Sequence, residues 1–263
     1  MTLVMAVACT DGFVMAADSE ETVGDVKRYA HKLIGIEDPF QLVIASFGNS
    51  SGAFSCADLI RTKLEKSLPI VKAEEAIRTG LMKHYETYPA TQGSEFGLLI
   101  GIRDEAGNSK LWRAENAQLV PITDFWCDGS GHVIATPICR SLFPYRMCVA
   151  VTHHLVTQVM RQGRRAAYVG GDIHTWSVRN SLESQGYFPV SSKNPLYLWG
   201  AEELLFAAIR DSLHGHTMRR DSALQALTTH IQDLSLFVSA PHQSQGVSLR
   251  TIDATEDSPH LMR

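Results

Sequence analysis

With 263 residues, 44% hydrophobic and 20% charged, the chain has globular composition and is long enough to bury a core without staples, which excludes disorder. Its net charge of −4 is the wrong sign for a protein that holds nucleic-acid phosphates. No run approaches the ~18–20 apolar residues of a membrane span, and the N-terminus lacks a basic leader, its apolar residues being interrupted by Asp11 and Asp18.

Leu3–Cys9 and Phe13–Asp18 read as two strands joined by the tight turn Thr10-Asp11-Gly12. A third strand is expected from Lys27 to Ile36 and a fourth over Gln41–Phe47. Ala53, Ala57, Ile60, Leu64 and Leu68 recur at helical spacing, with Pro69 ending the run. Ala73, Ala76, Ile77, Gly80, Leu81 and His84 mark a second amphipathic helix. Strands return at Phe96–Arg103 and Ser109–Arg113, around a turn at Asp104–Asn108. Gly129-Ser130-Gly131 leads into a helix through Ile138, and Met147–Met160 is the next helix. Ala166–Val178 reads as a strand passing through Gly170-Gly171. Further on, Ala201–Leu213 and the set Leu224, Leu227, Ile231, Leu234 read as helices, the second with a capping box from Asp221 or Ser222 and Gln225. Gly246–Ile252 reads as a last strand and Ala254–Arg263 as a flexible tail. No linker or repeat divides the chain. One domain is expected over residues 1–263, with 187–253 a C-terminal helical extension of it. Hairpins followed by paired helices argue α+β, two packed sheets with helices on their outer faces.

The five cysteines (Cys9, Cys56, Cys127, Cys139, Cys148) are odd in number and scattered, as reduced thiols of a cytosolic protein are. His153-His154 and His214-x-His216 lack the carboxylate partners and spacing of a metal site. Gly170-Gly171 is not a phosphate loop. Gly129-Ser130-Gly131 lacks the flanking glycine of a nucleophile elbow, Asp128 standing in its place. No metal or other cofactor is implied.

Thr2 is the residue with most chemical content. If Met1 is trimmed, a side-chain nucleophile and an α-amine base sit on one residue, the amine with a pKa near ~8 and able to take the hydroxyl proton directly or through a water. Asp18 lies sixteen residues on, at the end of the strand that returns beside the first.

The run Ala16-Ala17-Asp18-Ser19-Glu20-Glu21-Thr22-Val23-Gly24 closely resembles the signature of proteasome β subunits, which share this nucleophile-to-Asp spacing. Further landmarks follow in order. Arg28-Tyr29-Ala30-His31-Lys32-Leu33-Ile34 resembles the strand presenting the family's lysine. Ala45-Ser46-Phe47-Gly48-Asn49 matches its glycine turn, Gly129-Ser130-Gly131 its GSG, and Ala167-Tyr168-Val169-Gly170-Gly171 its AYSGG segment. The resemblance, to the proteasome/HslV group of N-terminal-nucleophile hydrolases, spans residues 2 to about 178.

It implies a four-layer αββα sandwich and a threonine peptidase. By it, Thr2 is the nucleophile; Lys32, two residues closer than is usual, lowers the proton affinity of the Thr2 hydroxyl; Asp18 pairs with Lys32. Gly48 is the oxyanion-hole donor, with Asn49 next in line, and Ser130 orients water or the amine. Thr22, with Asn49, holds an extended substrate. Specificity positions fall near Glu21, Ala30, Ile34 and residues 46–50; small Ala30 leaves the pocket open and Glu21 favours a basic side chain. The implied partners are an unfolded polypeptide or peptide substrate and further copies of the chain in a cytoplasmic ring or spiral, with an ATP-dependent unfoldase as a further candidate. Three departures stand out. Ala166 and Val169 replace an Asp and a Ser of the family, Met1 directly precedes Thr2 with no propeptide, and Tyr187–Arg263 matches no family pattern. In length and character the chain is similar to the longer bacterial proteins termed ancestral β subunits. A non-catalytic assembly subunit and a hydrolase of small linear amides are the alternatives.

Overall fold

The computed structural model describes residues 2–23, 26–36, 41–64, 68–89, 95–143, 146–166, 169–180, 186–187 and 220–226. The expected helix Ala201–Leu213, the part of the helix marked by Leu224, Leu227, Ile231 and Leu234 that follows residue 226, the strand Gly246–Ile252, the tail Ala254–Arg263 and nearly all of the expected 187–253 extension lie outside these residues.

β1 (Val4–Ala8) and β2 (Gly12–Asp18) form the expected hairpin, closed by Cys9 N–H donating to the Gly12 carbonyl at 2.8 Å. Its register pairs Val4 with Ala17, so the next pair outward is Leu3 with Asp18, joined by Asp18 N–H to Leu3 O at 3.1 Å. The sixteen-residue spacing from Thr2 to Asp18 is thus a consequence of hairpin register. The turn has a second use: Asp11 Oδ1 accepts from the backbone N–H of Val149 at 2.7 Å. That carboxylate serves the free N–H groups at the start of α4 (Val149–Gly163).

The single strand expected over Lys27–Ile36 is two. β3 (Glu20–Val23) and β4 (Val26–Tyr29) make a small hairpin of their own, and β5 (Leu33–Ile36) pairs with β6 (Gln41–Gly48) in another sheet. No turn residue separates β4 from β5, yet the chain changes sheet between Tyr29 and Leu33, where Ala30 N–H donates to Ser19 O at 2.8 Å and Ser46 N–H to Lys32 O at 3.0 Å. α1 (Ser50–Lys63) and α2 (Ile70–Thr87) follow. Pro69 immediately precedes α2 rather than ending α1, in keeping with proline's tolerance at helix starts.

β7 (Phe96–Arg103), β8 (Ser109–Glu115), β9 (Gln118–Ile122) and β10 (Phe125–Asp128) come next. The last two are short and escape a periodicity reading; β9 carries Pro121, which an edge strand tolerates. α3 (His132–Leu142), α4, β11 (Ile173–Arg179) and β12 (Gly186–Tyr187) complete the numbered elements. β11 starts later than the expected Ala166. The Gly170 and Asp172 carbonyls instead accept from the backbone N–H groups of Glu20 and Ser19. Residues 220–226 are helical, so Asp221 and Ser222 lie within that helix rather than capping it.

Two antiparallel five-stranded sheets result, β10-β1-β2-β11-β12 and β5-β6-β7-β8-β9. Val4, Ala6, Phe13, Met15 and Ala17 of the first pack with Val43, Ala45, Leu99 and Leu111 of the second. The alternate residues Met5, Val7, Val14 and Ala16 pack on Cys139, Leu155, Val156 and Val159 of α3 and α4, with Leu224 joining them. Leu42, Ile44, Ile100 and Trp112 pack on Ala57, Ile60, Ile77 and Leu81 of α1 and α2. Strands covered on both faces read as unbroken apolar runs, as β1, β2 and β7 do. All five cysteines are free thiols. Among the described residues no helix is long and apolar enough to cross a membrane.

Candidate active site

The β1–β2 register leaves Thr2 at the end of β1 beside Asp18, and the change of sheet after β4 brings Lys32 to the same point. Thr2, Asp18 and Lys32 are all buried. Thr2 Oγ donates to Asp18 Oδ1 at 2.5 Å. Lys32 Nζ lies 2.9 Å from the same oxygen and also donates to Thr2 Oγ and to the Glu20 carbonyl. Asp18 accepts two backbone bonds besides, Leu3 N–H at 2.8 Å on Oδ1 and Gly170 N–H at 3.1 Å on Oδ2. These donors offset the cost of burying its charge. Burial pushes the Lys32 ammonium below the usual lysine range, against the opposing pull of Asp18. An ammonium donating to a threonine hydroxyl favours the alkoxide over the alcohol, the direction in which a nucleophile is activated.

The Gly129-Ser130-Gly131 turn holds the other side of Thr2. Gly131 N–H donates to Thr2 O at 3.2 Å and Ser130 Oγ to the same oxygen at 3.3 Å. Ser130 therefore touches the Thr2 carbonyl. Gly129 has φ +84°, and a Cβ there would run into that carbonyl, so only glycine fits.

A small cleft opens beside Thr2, lined by Glu21, Ala30, Lys32, Phe47, Gly48 and Phe54 together with Ser46 and Ser50. Gly48 ends β6 with φ +82°, and a Cβ there would run into the Glu95 carbonyl and the Phe96 backbone. Asn49, the second oxyanion candidate and an expected substrate contact, is placed elsewhere. Its N–H donates to Glu95 O at 2.9 Å, and its side chain caps α1 by accepting from Gly52 N–H at 3.0 Å. It lines a separate cavity of about 580 Å³ with His84, Tyr85, Tyr88 and Phe96, which contains none of the Thr2 cluster. Ile34 likewise leaves the cleft, packing toward α1 and α2, since neighbouring residues of a strand face opposite sides. Thr22 lies on β3, its hydroxyl buried without a hydrogen-bond partner.

Three contributors escape sequence reasoning. The Leu3 and Gly170 amides are backbone and leave no signature. Phe54 has one: it lies four residues after Ser50, off the buried stripe Ala53, Cys56, Ala57 and Ile60 of α1, hence on a different face from the core. Of the two residues standing where the family has Asp and Ser, Val169 is buried in the apolar cluster under α3 and α4, and Ala166 packs against it.

No protein-family model matches the chain, and no curated protein does. Solved structures do. Anbu (ancestral β-subunit) from Yersinia bercovieri superposes with a TM-score of 0.65 at 16% identity, over 94% of this chain and 100% of that one. The Gly-1 mutant of Anbu from Hyphomicrobium sp. strain MC1 gives 0.65 at 15%, over 94% and 100%. The helical assembly of the Anbu complex from Pseudomonas aeruginosa gives 0.64 at 17%, over 81% and 96%. At such identities the likeness speaks for the fold: this chain has the fold of the Anbu proteins.

Proposed function

We propose that the chain is a proteasome-type threonine peptidase of the Anbu kind, acting in the cytoplasm as one copy of a homo-oligomeric ring or spiral. Its layers read as an αββα sandwich, α1 and α2 on one outer face and α3 and α4 on the other. The observation that carries the reading is the buried triad of contacts among Thr2 Oγ, Lys32 Nζ and Asp18 Oδ1, at the wall of a cleft.

In this reading Met1 is removed and the freed α-amine of Thr2 takes the hydroxyl proton as Oγ attacks a peptide carbonyl. Lys32 stabilises the developing alkoxide, and Asp18 holds Lys32 in place. The carbonyl oxygen becomes an oxyanion facing the Gly48 N–H, a donor of a kind worth about 3 kcal/mol in the transition state. The amine returns its proton to the departing amino group, leaving an ester on Thr2 that water then cleaves to acid and free Thr2. Thr22, next to the cleft residue Glu21 on β3, and the end of β6 are the proposed supports for an extended peptide. The helical assembly of the Pseudomonas aeruginosa Anbu complex supports the oligomeric part.

The test is covalent. Intact mass first establishes that Thr2 leads the mature chain; an epoxyketone directed at N-terminal threonine then adds its mass there, and Thr2→Ala abolishes the adduct. A retained Met1, or no adduct on a free Thr2, refutes the enzyme reading. One observation favours a second reading, a non-catalytic assembly subunit: Val169, where the family has a serine near the amine, is locked in apolar packing. Electron microscopy showing an assembly without any adduct supports that instead.

A further inference from the structure

The cleft beside Thr2 measures about 20 Å³, room for a single water or a methyl group. Phe47, Phe54 and Glu21 are among the residues that line it. Glu21 is not an anion awaiting a cation. Arg28 Nε donates to it at 2.7 Å across the β3–β4 hairpin, and Ser50 at the start of α1 lines the same cleft.

A substrate side chain entering there meets these groups in turn. A methyl fits beside Ala30. A leucine needs the space of Phe54 and sets its hydrocarbon against the Glu21 carboxylate. A glutamate meets the charge of Glu21. An arginine or lysine must displace Arg28 and still finds no volume for its stem. The small Ala30 does not leave an open pocket, and the expectation that Glu21 selects basic residues does not hold once its partners are in view.

We infer that the enzyme cleaves after small uncharged residues, Gly, Ala or Ser on the acyl side of the scissile bond, with Phe54 and the Arg28-paired Glu21 setting the size limit. This rests on the peptidase reading above and names its substrate class. The test uses full-length protein with its free Thr2 confirmed by mass, and four fluorogenic tripeptides alike except for Ala, Leu, Arg or Glu before the coumarin amine. The Ala substrate is expected to have the highest kcat/KM, by about tenfold or more, the discrimination a pocket gains by excluding a few methylene groups. Phe54→Ala is expected to raise the Leu-to-Ala ratio of kcat/KM by about tenfold. Phe54→Val, a milder truncation, makes the same comparison if circular dichroism finds the alanine variant unfolded. Leu or Arg substrates cleaved as well as Ala, or a ratio unmoved in the folded variant, overturns the inference while an epoxyketone adduct leaves the peptidase reading standing. No cleavage of any substrate together with no adduct overturns both.

Discussion

Asp18 accepts from a hydroxyl, an ammonium and two backbone amides, and this determines what each partner's loss would do. Removing Lys32 breaks a buried ion pair, which usually costs ~3–5 kcal/mol because the remaining charge is stranded. Here Leu3, Gly170 and Thr2 still donate to that charge. Lys32→Met is therefore expected at the low end, about 3 kcal/mol by denaturant titration, with complete loss of the epoxyketone adduct. Stability lost with the adduct retained would separate Lys32 from the chemistry. Thr2 and Asp18 were legible in the sequence because hairpin register turns a contact into a fixed spacing, whereas Lys32 was named only through the resemblance. Leu3 and Gly170 were not, because an amide donor belongs to every residue but proline.

At the scale of elements, α4 and β11 share a titrating contact. His153 Nδ1 lies 2.7 Å from the Ser177 hydroxyl, and burial, aided by neighbouring His154, lowers its pKa to about 4. An unfolded histidine titrates near 6.5, so between these values the unfolded chain binds the proton that the folded chain refuses. Stability is then full above ~6.5 and falls as the pH drops toward ~4, by ~2 kcal/mol between pH 7 and pH 5 from this residue alone. Urea midpoints measured at the two pH values should show that loss in the native protein and a flatter profile in His153→Asn. A slope unchanged by the substitution would assign the pH dependence elsewhere. Element boundaries followed apolar periodicity for β1, β2, β6, β7, α2 and α4. It failed between Tyr29 and Leu33, where no Gly, Pro or other turn residue marks the change of sheet, and at β9 and β10, which are too short to show a period.

For the molecule as a whole, the packing between the two sheets sets how closely they approach. A Cβ on Gly101 of β7 would sit 2.5 Å from the ring of Phe13 on β2, so bulk there forces the sheets apart. Gly101→Ala is expected to cost ~1–3 kcal/mol, the range for overpacking a core, seen as a lower urea midpoint at unchanged m-value. No shift would mean that the sheets part without strain. Thr2 and Lys32 arrive at the site from different sheets, so a shift between layers also reaches the cleft.

Composition, charge and apolar periodicity determined the α+β class and most elements, because burial of apolar faces is written in local spacing. Thr2-to-Asp18 was written there too, as the two arms of one hairpin. Three-dimensional packing alone decided that Lys32 reaches Thr2 across a change of sheet, that Asn49 caps a helix, and that Glu21 is already paired. It also placed Phe54 at the cleft. Each of those depends on which distant surfaces meet, and the spacing of residues along one strand or helix carries no information about that.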